Sequence, residues 1–117
     1  MKKNISPWQK GVACELIASA WLIEEGYLVF SAPGSHSPID LVALDFDEKD
    51  TLINIIFVDV KKSQSYTKEQ ALKEGRKSGY EKCSRILKPI QKKMGVKLLI
   101  VYSDNTCGWW PSGKNKK

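Results

Sequence analysis

The chain has 117 residues, 42% of them hydrophobic and 27% charged, with a formal net charge of +6. That length suits one domain with one core, and the composition is that of an ordinary globular protein rather than a fibrous or disordered one. The apolar runs are too short to cross a bilayer and the basic N-terminus lacks a signal-peptide core, so an intracellular protein, cytoplasmic or nucleoid-associated, is expected. Cys14, Cys83 and Cys107 show no CxxC or paired histidine spacing, which argues against a disulfide framework or a zinc site and for reduced thiols.

The charge is unevenly divided. Residues 1–60 carry four basic and nine acidic side chains, a balance of −5, whereas residues 61–97 carry twelve basic and three acidic, a balance of +9. An acidic half suits a cation and a basic half suits a phosphate backbone, although lysine-rich helices are also simply well solvated. Only residues 1–4 and 112–117 read as loose basic tails.

Ser6-Pro7 opens a helix, with serine as N-cap and proline at the first helical position. Trp8, Val12, Leu16, Ala20 and Ile23 recur at helical spacing and are expected to form its buried stripe, with Glu15 at the edge and Gly26 ending the helix. Tyr27–Ser31 reads as a strand, residues 32–37 as a Gly/Ser/Pro loop, and Asp40–Leu44 as a second strand. After an acidic turn, Asp45–Asp50, comes Leu52–Lys61, a strand dense in Ile, Val and Phe. Short turns between these three strands predict antiparallel pairing. Thr67 and Gln70 form a capping box for a lysine-rich helix interrupted at Ser78-Gly79. A second helix carries the stripe Tyr80, Cys83, Leu87, Ile90 and Met94, and Pro89 should kink or split it. Val96–Tyr102 is a further buried strand, and Thr106–Trp110 an edge strand or structured turn. The order αβββαβ predicts an α/β fold, a mixed central sheet flanked by helices.

Within this frame the acids converge. A register in which paired positions sum to 99 sets Asp40 beside Asp59, and strand alternation puts Lys61 on the same face as Asp59. Two carboxylates so close repel unless a proton or cation lies between them. Mg²⁺, with Mn²⁺ as a substitute, suits Asp40, Asp59 and the Val60 carbonyl, because it takes oxygen ligands and keeps water for chemistry. Lys61 would orient the attacking water, and Glu15 would hold a second metal or a metal-bound water. An Asp-x-Lys triplet alone is a weak signal, most often a surface charge pair; Pro-x-Asp, the strand spacing and the helical glutamate strengthen it. Beyond the site, Lys62, Ser63, Gln64, Lys68, Lys73, Arg76 and Lys77 are candidate contacts to a nucleic-acid backbone, Ser63 and Gln64 being equally well read as turn residues. His36, the single histidine, is read as an exposed loop residue. Trp109-Trp110 is read as packing near the sheet edge ahead of base stacking.

Lys10-Gly11 through Glu15, Glu25-Gly26-Tyr27, Pro38-Ile39-Asp40-Leu41 and Val58-Asp59-Val60-Lys61 together resemble the PD-(D/E)XK nuclease superfamily. The motifs cover roughly residues 10–63, and the αβββαβ order extends the likeness through residue 102. The likeness is greatest to small branches such as Holliday-junction resolvases and homing or repair endonucleases. It implies a restriction-endonuclease-like core, Asp40 and Asp59 as metal ligands, Lys61 as the catalytic lysine and Glu15 as the first-helix acid. It also implies an endonuclease acting on double-stranded or branched DNA in recombination or repair, and it admits a homodimer. The third-strand acid departs from the pattern, being Asp where Glu is more frequent. Two other readings stand beside this one: a non-catalytic nucleic-acid-binding module on the same fold, and a protein-interaction domain whose acids are structural charge pairs.

Overall fold

The computed structural model describes residues 4–32, 37–65, 73, 75, 81–82 and 86–111. In chain order these give α1 (Pro7–Glu24), β1 (Leu28–Ser31), β2 (Leu41–Phe46), β3 (Leu52–Lys62), β4 (Gln64–Ser65), β5 (Glu81–Lys82), α2 (Pro89–Met94), β6 (Lys97–Val101) and β7 (Cys107–Trp110). The fold is mixed α/β. Its five-stranded sheet runs β1-β2-β3-β6-β7, and β4 pairs separately with β5. All neighbours in the large sheet are antiparallel except β3 and β6, which are parallel. Among the described residues no helix is long and apolar enough to cross a membrane.

The β2–β3 register is the one expected. Leu41 faces Val58 and Asp45 faces Asn54, every intervening pair summing to 99, and the ladder shifts only at Phe46↔Leu52. Asp45 therefore belongs to β2, and the turn proper begins at Asp47. The Asp47 carboxylate accepts the N–H groups of Lys49 (2.8 Å) and Thr51 (3.0 Å), and Asp50 takes the left-handed conformation that Asp tolerates better than most residues.

Helix α1 starts as expected: the Ser6 hydroxyl accepts Gln9 N–H, and the Gln9 side chain accepts Ser6 N–H. Its orientation is not the expected one. Cys14, Ala18 and Leu22 are buried against the sheet with Ile17 and Trp21 packed beside them, whereas Trp8, Val12, Leu16, Ala20 and Ile23 lie on the exposed side. The helix carries apolar residues on both faces, so spacing alone could not choose between them. The face bearing Cys14 and Ala18 has the smaller side chains, which allow close approach to Leu41, Ala43, Val58, Leu99 and Val101.

The second helix is also corrected. Tyr80 and Cys83 lie outside the described residues, but Glu81–Lys82 is a strand, and the helix runs only from Pro89 to Met94. Pro89 starts it instead of kinking it. Lys88, the residue before the proline, is extended (φ −69°, ψ 156°), as the clash with the proline ring demands. The capping box at Thr67 and Gln70 and the break at Ser78-Gly79 lie outside the described residues. At the far end, Thr106–Trp110 resolves into the edge strand β7. Trp109 packs on the core and meets Trp21 edge-on, ring centroids 6.1 Å apart at 72°. Cys14 and Cys107 are buried; Cys83 lies outside the described residues.

Candidate metal and phosphate site

Strand β3 outruns β2. Its pairing with β2 stops at Val58, yet with β6 it continues from Val58 through Lys62. Asp59, Val60, Lys61 and Lys62 therefore have a strand on one side and an opening on the other. Asp40 occupies that opening. Its N–H donates to the Val58 carbonyl (2.8 Å) although Leu41 is the register partner of Val58. Asp40 lies one residue before β2 and is tied to β3 through this backbone bond without joining the ladder. The Asp40 carboxylate is aimed along β3, where Oδ2 accepts the Val60 N–H at 2.7 Å. In a strand the N–H and carbonyl of one residue leave on the same side, so the Val60 carbonyl is directed into the same opening.

Asp59 is buried, with 7% of its surface exposed. Lys61 Nζ lies 3.4 Å from Asp59 Oδ2 on the shared strand face, yet that oxygen receives no hydrogen bond. The Asp59 carboxyl is pushed up from its ordinary 3.8 to about 6, first by burial, against the opposing pull of Lys61, and then by its contact with the Asp40 carboxylate. Glu15, half-buried on α1, is also raised, by burial first and then by the charge and carboxyl contact of Asp40, with a smaller push from Asp59. The acids form a row with Asp40 in the middle.

These groups sit in a cleft of about 790 Å³. Ile5, Pro7, Cys14 and Ile17 give it an apolar wall along α1, and Lys10, Lys61 and Lys62 surround the acids with positive charge. Lys10 was not singled out by the sequence. The signal available for it was weak: it precedes Glu15 by five residues, which on a helix is a displacement along the axis with a turn of the face.

Gln91 was also missed. It is buried on α2 and uses both ends of its amide: Oε1 accepts Lys88 N–H (2.7 Å) and Nε2 donates to the Pro38 carbonyl (2.8 Å). Only this orientation pairs each donor with an acceptor. Gln91 thereby ties α2 to the segment that presents Asp40, across 53 residues of sequence. Such a contact leaves no local pattern, and a glutamine in a lysine-rich stretch reads as surface.

The remaining expected site residues fall into three groups. Lys62 is exposed and lines the cleft. Ser63 is buried and its N–H donates to Val101 (2.8 Å), so it belongs to the packed end of the sheet and is not open to a phosphate. Gln64 pairs through its backbone with Lys82, and Lys73 is exposed. Lys68, Arg76, Lys77 and His36 lie outside the described residues.

A divalent cation such as Mg²⁺ needs oxygen donors that leave room for water. Among the described residues no three His, Cys, Asp or Glu side chains form a complete ligand group. Mg²⁺, however, is commonly held by one or two carboxylates and otherwise by water. Asp40, Asp59 and the Val60 carbonyl offer oxygen only, and a buried carboxylate oxygen without a hydrogen bond is the group such a cation would satisfy. The residues fit. Comparison with family models, with curated proteins and with solved structures returns no match to this chain.

Proposed function

We propose that this chain is a Mg²⁺-dependent endonuclease with a restriction-endonuclease-like PD-(D/E)XK core, hydrolysing phosphodiester bonds in double-stranded or branched DNA. The observation that carries the reading is the pairing of Asp40 with Asp59 beside Lys61, where a buried carboxylate oxygen stands without a hydrogen bond in a lysine-rimmed cleft.

Asp40, Asp59 and the Val60 carbonyl would hold the cation, which would supply Lewis acidity to a phosphoryl oxygen and make water a better nucleophile at neutral pH. The chain's own residues do the rest. Val60 N–H fixes one oxygen of Asp40, so the carboxylate is already oriented before any ligand arrives. Lys61 orients the attacking water and faces the charge that grows on the phosphate oxygens. Glu15, whose carboxyl is pushed up by burial and by the neighbouring Asp40, gives or takes a proton at the Asp40 side of the cleft. Lys10 and Lys62 hold neighbouring phosphates, contacts that give affinity without sequence choice.

Purified protein incubated with linear and branched DNA should cleave in Mg²⁺ and not in EDTA, and Asp59→Ala should lose cleavage while keeping binding. A second reading, a non-catalytic nucleic-acid-binding module, draws on the absence of a complete three-residue ligand group among the described residues. It predicts salt-sensitive binding with no cleavage in any divalent metal.

A further inference from the structure

Helix α1 is apolar on two faces, and only one of them meets the sheet. Trp8 is 74% exposed and Leu16 64%, and Val12 and Ile23 are exposed with them. Trp8, Val12, Leu16 and Ile23 recur at helical spacing, so they form one continuous stripe directed away from the core. The four stripe side chains leave on the order of 450 Å² of surface in water, within the range of the largest patch a monomer shows. That is a little over half of the roughly 800 Å² that each partner contributes to a stable interface.

We infer that this stripe is covered by the same stripe of a second copy, the two α1 helices packing antiparallel about a two-fold axis near Leu16. The spacing is self-complementary. Trp8 and Val12 lie eight and four residues before Leu16, and Ala20 and Ile23 lie four and seven after it. An antiparallel pair therefore sets bulky Val12 against small Ala20 and Trp8 against Ile23, each contact occurring twice, as an isologous interface requires. Charge selects the same direction. The last turn of α1 carries no basic residue and the first turn no acidic one; instead Glu24 and Glu25 stand exposed at the C-terminal end, against the helix dipole. An antiparallel neighbour brings the positive end of its own dipole to those glutamates. A parallel neighbour would set the four glutamates together. An anionic lipid surface is the poorer occupant, because Glu15, Glu24 and Glu25 flank the stripe where a membrane-lying helix carries lysine and arginine. This inference stands apart from any reading of the cleft.

Sedimentation equilibrium of the full chain should give twice the 13.2 kDa monomer mass. Leu16→Glu, which places a charge at the centre of the interface, should weaken the dimer by about 100-fold or more while leaving the far-UV circular dichroism and thermal melt of the monomer intact. Leu16→Cys should cross-link to itself under mild oxidation beyond the wild-type background, and Ile23→Cys should not. A wild-type chain that stays monomeric, a dimer indifferent to Leu16→Glu, or efficient Ile23→Cys cross-linking would each overturn the proposal. So would a monomer that co-sediments with anionic vesicles.

Discussion

Asp59 is ionised at neutral pH against its surroundings, since burial and the neighbouring Asp40 together outweigh the help of Lys61. Its carboxyl titrates near 6 in the folded chain and near 3.8 in an unfolded one, so between those values the folded state binds more protons. Stability should therefore fall as pH rises from about 4 to about 6 and stay low above that range. Asp59→Asn removes the buried charge and should stabilise the protein at pH 8 by about 1 to 3 kcal/mol, flattening that pH dependence while abolishing cleavage. Urea unfolding at pH 4 and pH 8 checks both parts; a variant less stable than wild type at pH 8 would mean that the Lys61 ion pair outweighs the cost of burial.

At the scale of elements, the site depends on how two strands end and what holds the loop between them. The hydrogen bonds of Gln91 fix the Pro38 carbonyl and the start of α2 together. Gln91→Leu leaves both backbone groups without these partners and should cost about 1 to 3 kcal/mol. Because Asp40 follows Pro38 by two residues, the same change should raise the Mg²⁺ concentration needed for half-maximal cleavage; a loss of stability with an unaltered metal requirement would limit Gln91 to a structural role. The β2–β3 register and the juxtaposition of Asp40, Asp59 and Lys61 were legible in the sequence because a tight acidic turn between two apolar strands leaves little choice of pairing. The place of Asp40 just outside the ladder, bonded to both Val58 and Val60, was not, since it depends on where β2 stops relative to β6. Nor was the orientation of α1 legible, because Trp8, Val12, Leu16 and Ile23 make as good a stripe as Cys14, Ala18 and Leu22, and only the depth of the sheet surface decides between them. Pro89 was misread for a simpler reason: without a helix before it, the same residue that breaks a helix begins one.

Over the whole molecule, the division of charge has a more local meaning than a count conveys. Asp45, Asp47, Glu48 and Asp50 lie at the turn end of β2, roughly 20 Å from Asp40 at about 3.4 Å per residue. Asp47 caps the turn and Asp45 ends β2, and Glu24 and Glu25 end a helix; the acids that face the cleft are Glu15, Asp40 and Asp59. The positive charge is drawn from separate parts of the chain, with Lys10 on α1 opposite Lys61 and Lys62 at the end of β3. If Lys62 contacts a phosphate, Lys62→Ala should reduce the slope of log K against log salt by about 0.9 for duplex DNA, without changing sequence preference. An unchanged slope would take Lys62 out of the interface.

The central claim is that Asp40 and Asp59 are held together to bind a divalent cation. Titration of Mn²⁺ into the metal-free protein, followed by electron paramagnetic resonance, tests it without reference to substrate. Wild type should bind Mn²⁺ in competition with Mg²⁺, and Asp59→Asn should lose that binding while remaining folded. Equal Mn²⁺ affinity in the two proteins, or no binding by either, would contradict the account.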